Sequence, residues 1–259
     1  MRLLARSVVA LAGCTGLLTA GAATATTSTH PAPTPGGPAT QTEVEVDGPA
    51  NIDNLAVSVR PDGGYLTGVR VEFDRTSRTE TGEKPAPASQ FVFLFDKSIR
   101  FNAERFPTCD RADFTARGPA GCPEGSKVGE GTAEIFPHTT AEVAVFNTRY
   151  ASGDRGVLIT IPATGAVLEN TFEPVADPYR SDYGTGSDEL LPSALAPLER
   201  ASTTRFRVTF GAVHTDHTGT HSYVESLAIP GQQLKFGLWS RFVTGQVLLP
   251  TAQAARPLP

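Results

Sequence analysis

The sequence predicts an all-β protein, an antiparallel β-sandwich or jelly-roll with one or two short helices and a loop closed by a disulfide. Apolar residues recur at every second position, turn residues separate these runs, and no long segment shows the 3.6-residue apolar period of a helix. Period-two patterning gives a strand one buried and one solvated face, as in antiparallel sheets. The clearest alternating runs are 55–59, 69–73, 157–161 and 206–212.

One further run, 91–95, is apolar at every position, which is typical of a central strand covered on both faces. Between the strands lie residues that tolerate positive φ, as tight hairpin turns require. These predicted turns are 62–64, 153–154 and 164–165.

Helices are expected to be short. The first candidate is 110–117, where Asp110 can cap the amide of Asp113 and Gly118 ends the helix. The second candidate is 188–200, which its two prolines disfavour.

Residues 1–25 resemble a secretory signal peptide, with Arg2 and Arg6 ahead of an apolar stretch and small residues that suit signal peptidase. A competing interpretation is a lipobox at 11–14, which would make Cys14 the lipidated residue and attach the protein to a membrane by a lipid anchor. A transmembrane segment is not expected, because the apolar run is shorter than the roughly 20 residues that span a bilayer.

Residues 26–41 are rich in Thr, Pro and Gly and predict a disordered linker. Residues 42–250 then form one predicted domain, and 251–259 a flexible tail. Because the predicted signal holds Arg2 and Arg6 and no acid, the remainder has 20 basic and 27 acidic residues, a formal charge of −7. An acidic surface repels phosphate, so no nucleic-acid partner is expected.

Cys109 and Cys122 are the only cysteines outside the predicted signal. An even pair in an exported chain predicts a disulfide, with two buried free thiols as the alternative. The bridge would hold a short helical turn and close one end of the sandwich. The strand that follows contains Gly129 and Gly131, which suggest a bulge or a close backbone approach.

Segments 95–102, 106–109 and 121–133 together resemble a two-cysteine block found in uncharacterised secreted, β-rich proteins of actinobacteria. The resemblance covers about 40 residues, 95–134. It implies export and a disulfide, and it implies no activity. Segments 223–226 and 242–245 are similar to the closing strands of that group, although this chain lacks the second cysteine pair that some of its members have.

Three of the five histidines and one carboxylate fall within 214–221. His214, Asp216, His217 and His221 are residue types that bind zinc or copper. On one extended strand His214 and Asp216 share a face, whereas His217 and His221 face the other way, unless a loop around Gly219 brings them together. The alternative is a solvated hairpin tip.

Two other parts of the sequence are candidate ligand sites. Asp177, Asp182, Asp188 and Glu189 could hold calcium, but their spacing does not match an EF-hand, and a mobile acidic loop is the favoured interpretation. Trp239 could stack on a sugar ring, although a single Trp in a late strand is usually part of the core.

No assembled catalytic motif is present, and no cofactor is expected. The sequence therefore favours a secreted or cell-surface, non-enzymatic β-sandwich that binds an unidentified ligand, or an envelope-associated module. The alternative is a secreted hydrolase or metal-dependent enzyme that uses the 214–221 loop.

Overall fold

The structure is a computed structural model that describes residues 30–35, 37, 43–163, 165–191 and 195–258. The predicted signal, including Cys14, lies outside these residues. The strands, in chain order, are β1 (Ile52–Pro61), β2 (Val69–Arg78), β3 (Ala88–Asp96), β4 (Ile99–Phe101), β5 (Lys127–Ile135), β6 (Thr139–Arg149), β7 (Arg155–Ile161), β8 (Ala166–Pro174), β9 (Tyr183–Leu190), β10 (Thr203–Phe210), β11 (Val213–Asp216), β12 (Gly219–Ser222), β13 (Val224–Ser226), β14 (Gln233–Phe242), β15 (Val247–Leu248) and β16 (Thr251–Ala255).

Among the described residues, one α-helix, α1 (Arg111–Arg117), accompanies these strands, together with four short 3₁₀ segments. The 3₁₀ segments are Ala103–Arg105, Gly118–Gly121, Tyr179–Ser181 and Pro197–Glu199. The predicted all-β class is therefore confirmed. No helix in the described part of the chain is both long and apolar enough to cross a bilayer.

Twelve strands form one antiparallel sheet in the order β1-β2-β10-β5-β6-β7-β8-β9-β3-β14-β15, with β16 also paired to β14. The sheet curls over, since Phe73 on β2 lies edge-on to Phe93 and Phe95 on β3, with ring centroids 5.3 and 5.1 Å apart. These two strands are far apart in the sheet order, so their contact shows that opposite parts of the sheet face each other across a shared core. Phe210 and Phe236 complete this aromatic centre.

The last strand differs from the sequence prediction. A flexible tail is predicted from residue 251, whereas Thr251–Ala255 pairs in register with residues 233–237 of β14. Main-chain hydrogen bonds to an available strand edge order this segment, although its side chains are small and offer little apolar surface.

The predicted second helix, 188–200, is also wrong. Residues up to Leu190 belong to β9, which pairs with β3 on one side and β8 on the other. Of the remaining described residues, only Pro197–Glu199 makes a single 3₁₀ turn. Ladder hydrogen bonds on both edges of β9 override the weak helical tendency of this segment.

The disulfide between Cys109 and Cys122 is confirmed. Helix α1 forms where predicted, but the Asp110 side chain makes no capping hydrogen bond. Phe114 on α1 packs with Cys109 against the outer face of β6 and β7, where it contacts Phe146 and Leu158. The disulfide loop therefore covers one outer face of the curled sheet.

The predicted close approach at the glycines of β5 is present. A side-chain carbon at Gly129 or Gly131 would overlap the carbonyl oxygen of Thr209 or Arg207 on β10. The register of β5 with β6 also shifts between Lys127 and Gly129. Glycine is required here because the two backbones meet with no room for a side chain.

Candidate functional site

The histidine-rich segment folds into the hairpin of β11 and β12, which resembles the predicted hairpin tip. His214 lies directly opposite His221 across the two strands. The reversal of the chain places His214, Asp216 and His221 on one face, while His217 lies in the turn. In a single extended strand His214 and His221 would lie on opposite faces. The turn between β11 and β12 makes them cross-strand partners, and they therefore share a face.

The two paired histidines nevertheless contact different groups. The His214 ring packs beside Phe106, with ring centroids 5.6 Å apart. Nε2 of His221 lies 2.7 Å from the Thr218 hydroxyl and 3.5 Å from Oδ1 of Asp216. The Thr218 hydroxyl and main-chain N–H both donate to that carboxylate, which lowers the pKa of Asp216 to about 2.

The described residues contain no group of three or more His, Cys, Asp or Glu side chains arranged to hold a metal ion. The histidine hairpin thus lacks the convergent ligand set that the metal hypothesis needs. Its contacts are those of a surface hairpin that is held by Thr218 at its tip.

The acidic segment is not a mobile loop. Asp182 forms an ion pair with Lys235 at 2.6 Å, and β9 begins at the next residue. Asp188 and Glu189 are consecutive in β9 and therefore face opposite sides of the sheet. Both are almost fully buried, Asp188 on the outer face and Glu189 in the interior.

A cavity of about 240 Å³ occupies the interior beside Glu189. It lies at the end of the curled sheet where β3 and β10 begin and where β5, β7 and β9 end. Its wall is mainly apolar, and its larger apolar side chains are Phe91, Ile135, Ile161, Leu168, Leu191 and Phe206. We refer to it as the interior cavity.

Glu189 is the carboxyl group in the wall of this cavity. Its Oε2 accepts a hydrogen bond from Nδ2 of Asn170 at 3.2 Å, and Oδ1 of Asn170 accepts one from the Ser187 hydroxyl at 3.2 Å. No described residue donates a hydrogen bond to the other carboxyl oxygen. Burial, with a smaller effect of the neighbouring Asp188 charge, raises the pKa of Glu189 to about 7.

Arg75 lies in the same wall and is 2% exposed. Its Nε donates to Oδ2 of Asp53 at 2.6 Å, and its Nη1 donates to the Thr203 hydroxyl at 3.1 Å. Its guanidinium carbon lies 4.9 Å from the centre of the Phe91 ring, a cation–π contact. Oδ1 of Asp53 is buried and has no partner among the described residues.

The segment that precedes β10 closes one side of the cavity and is held by several polar contacts, among them the following. Arg200 forms a bidentate ion pair with Glu43. Nζ of Lys84 donates to the Arg200 carbonyl oxygen at 2.6 Å. The Ser202 hydroxyl donates to the Pro85 carbonyl oxygen, also at 2.6 Å. These contacts fix the position of a wall that has little regular secondary structure.

The sequence carried a signal for Arg75 that the prediction did not use. The alternating run that places Val69, Val71 and Phe73 in the core continues to Arg75, so an arginine falls on an inward position. No comparable signal marks Glu189, because its segment has no alternating apolar pattern. The cavity itself is formed by strands that are distant in sequence.

Comparison with known proteins gives no further information on this site. No protein-family model, no curated protein and no solved structure matches the chain.

Proposed function

We propose that this chain is a secreted or cell-surface binding protein without enzymatic activity, and that its ligand is a small, mainly apolar molecule held in the interior cavity. The observation that carries the proposal is a preformed apolar cavity of about 240 Å³ with the buried carboxyl group of Glu189 in its wall. Apolar pockets with a few converging polar groups are the usual form of small-molecule sites.

The cavity volume limits the size of the ligand. An apolar cavity of roughly 150 Å³ is large enough to bind benzene. The interior cavity therefore suits a single substituted ring or a short branched chain. Glu189 would form a hydrogen bond with one polar group of that ligand, because a carboxyl group with a pKa of about 7 can donate or accept a hydrogen bond at neutral pH.

The composition of the wall favours binding over catalysis. Glu189 is the only carboxyl group among the described residues that line the cavity, and none of them is a His or a Cys. The hydroxyl of Ser202 donates to a main-chain carbonyl, and that of Thr203 accepts from Arg75. Neither of these two lining hydroxyls is thus paired with a general base, as a nucleophile would require.

Two features support an extracytoplasmic location. The sequence begins with a predicted export signal, and the structure contains a disulfide between Cys109 and Cys122. Structural disulfides persist in oxidising compartments and are rare in the cytosol.

Binding of toluene and p-cresol, followed by NMR, tests the proposal. Both probes fit a cavity of this size, and both should shift the resonances of Phe91, Leu168 and Phe206. We expect p-cresol to bind about tenfold more tightly, since its hydroxyl can hydrogen-bond to Glu189. Shifts that are absent or spread over the whole surface would contradict the proposal.

A pair of variants checks that the probes enter the cavity. Ala88 lines the cavity, and Ala144 lies on the outer face of β6 under α1. Ala88→Leu should fill part of the cavity and weaken binding of both probes, whereas Ala144→Leu should leave binding unchanged.

A further inference from the structure

A second contact surface lies on the outer face of the sheet, where residues 30–35 and 37 cross it. We call these residues the strap. The surface beneath it comprises Trp239 on β14, Val92 on β3, Gly186 on β9 and the segment from Val175 to Tyr179. We call this surface the outer groove. Pro33 and Thr34 of the strap are buried against it.

The outer groove donates hydrogen bonds to the main-chain carbonyl oxygens of the strap. Nε1 of Trp239 donates to the His30 carbonyl at 3.2 Å. The Tyr179 hydroxyl donates to the Pro31 carbonyl at 3.0 Å. The main-chain N–H of Ala176 donates to the Pro33 carbonyl at 2.8 Å. Three successive donors therefore lie along one bound segment.

This arrangement matches the chemistry of proline. A proline has no main-chain N–H and keeps its carbonyl acceptor, so a proline-rich segment presents acceptors and few donors. The strap has prolines at positions 31, 33 and 35. A groove with aromatic side chains that donates to carbonyl groups is how several domains recognise such segments.

The central part of the groove is shaped for one strap residue. The Thr34 hydroxyl donates to the carboxyl group of Asp188, and Nε2 of Gln90 donates to the same group at 2.8 Å. A side-chain carbon at Gly186 would run into the Thr34 methyl group. The absence of a side chain at Gly186 thus makes room for the strap.

We propose that the outer groove is a docking site for a proline-rich segment of a partner protein, and that the strap is a competing occupant supplied by the chain itself. The strap shows which chemistry the groove accepts, because it occupies the site through carbonyl groups that any segment of similar composition also presents. This site is separate from the interior cavity, since the two lie on opposite faces of the sheet.

The test uses the full chain and the labelled peptide His-Pro-Ala-Pro-Thr-Pro-Gly-Gly, which copies residues 30–37. Thr34→Asp should release the strap by placing a second carboxylate beside Asp188, and Thr34→Ser is the matched control. Trp239 is the only tryptophan and is 3% exposed, so its fluorescence reports whether the groove is covered. Circular dichroism verifies that the variants fold.

In the Thr34→Asp chain we expect a red shift of Trp239 emission, which added peptide reverses. The peptide should bind this chain about tenfold or more tightly than the unaltered chain, where the strap competes. Tyr179→Phe in the Thr34→Asp background should weaken binding about fivefold through the lost hydrogen bond. A peptide with its three prolines replaced by alanine should bind poorly.

Three results would overturn the proposal. The first is binding of the alanine peptide that is as tight as binding of the proline peptide. The second is a dimer of the Thr34→Asp chain that added peptide does not dissociate, which would indicate that two copies exchange their straps. The third result concerns the unaltered chain. There, millimolar peptide is expected to displace the strap and so to shift the Trp239 indole N–H resonance. Failure to see that shift, with no binding to Thr34→Asp, would show that the strap is only a structural part of the fold.

Discussion

The two ends of the curled sheet differ in their interiors. One end is filled by Phe106, Tyr223 and Asn147, whereas the interior cavity lies at the other end, with Glu189 and Arg75 in its wall. At the filled end, Nδ2 of Asn147 contacts three main-chain carbonyl oxygens at 2.9 to 3.1 Å, and its Oδ1 accepts from Tyr223. At the cavity end, Oδ1 of Asp53 is buried without a described partner.

The difference shows that the two ends of the sheet are not held equally tightly. The disulfide loop begins close to the filled end, where the main-chain N–H of Cys109 donates to the Asn147 carbonyl oxygen at 2.8 Å. That end therefore has a covalent constraint beside it and packed aromatic rings, since the ring centroids of Phe106 and Tyr223 are 5.0 Å apart. The cavity end holds the buried ionisable side chains of Arg75, Asp53 and Glu189, and burying such groups costs free energy that apolar residues would not cost. This contrast supports our proposal that a ligand binds at the cavity end.

The largest expected effect is at the filled end. Asn147→Ala would leave the Tyr223 hydroxyl and several buried carbonyl groups without partners, so we expect the free energy of unfolding to fall by about 4 kcal/mol. Urea denaturation measures the change. The same substitution at the exposed Asn54 of β1 is the control and should have little effect. A loss below about 1 kcal/mol at Asn147 would show that the filled end is not the more tightly held one.

At the cavity end, Glu189→Gln should stabilise the protein in a way that depends on pH. The pKa of Glu189 rises from its ordinary value of 4.5 to about 7, so the folded protein binds this proton more strongly than the unfolded chain does. The stabilisation by this proton is complete below pH 4.5 and is lost as the pH rises through about 7.

Glutamine stays neutral and keeps an acceptor for Asn170. We therefore expect Glu189→Gln to raise the free energy of unfolding by roughly 3 kcal/mol at pH 8 and to have almost no effect at pH 4. Urea titrations at several pH values measure this. Glu142→Gln, at an exposed position of β6, should change little at any pH. A gain at Glu189 that is independent of pH would argue against a buried, titrating carboxyl group.

The smallest expected effect concerns the buried pair of Arg75 and Asp53. Replacing both residues by leucine should change the free energy of unfolding by no more than about 1 kcal/mol, because the removed attraction is balanced by the removed desolvation. Arg75→Leu alone should be destabilising by about 3 kcal/mol, since it leaves the Asp53 carboxylate buried and unpaired. Thermal and urea unfolding of both variants check this. A large loss in the double variant would mean that the pair is needed to hold the cavity end together.

Several features of the fold could be predicted because they depend on neighbouring residues. The alternation in β2 and β10 places their apolar side chains in the core, and the pair of cysteines in one loop forms a disulfide. Helix α1 follows from residues within one short segment. The close approach at Gly131 is also predictable, because glycine within a strand often marks a place where backbones meet.

Other features could not be predicted, since they depend on partners that are distant in sequence. The local pattern predicts a helix that starts at residues 188–190, yet β3 and β8 provide hydrogen-bonding edges on both sides of them. Segment 251–255 becomes a strand because β14 offers an edge to it. In the histidine hairpin, the turn places His221 opposite His214, which reverses the side expected for a single strand.

The sequence by itself determined the all-β class, the disulfide and the inward positions of each alternating strand, because hydrophobic periodicity and turn chemistry act over a few residues. Only the tertiary structure decided that the sheet curls on itself, that Glu189 and Arg75 meet at one cavity, and that the strap lies over Trp239. Those relations arise from register and curvature summed over many strands. Neither register nor curvature can be inferred from a short segment of the sequence.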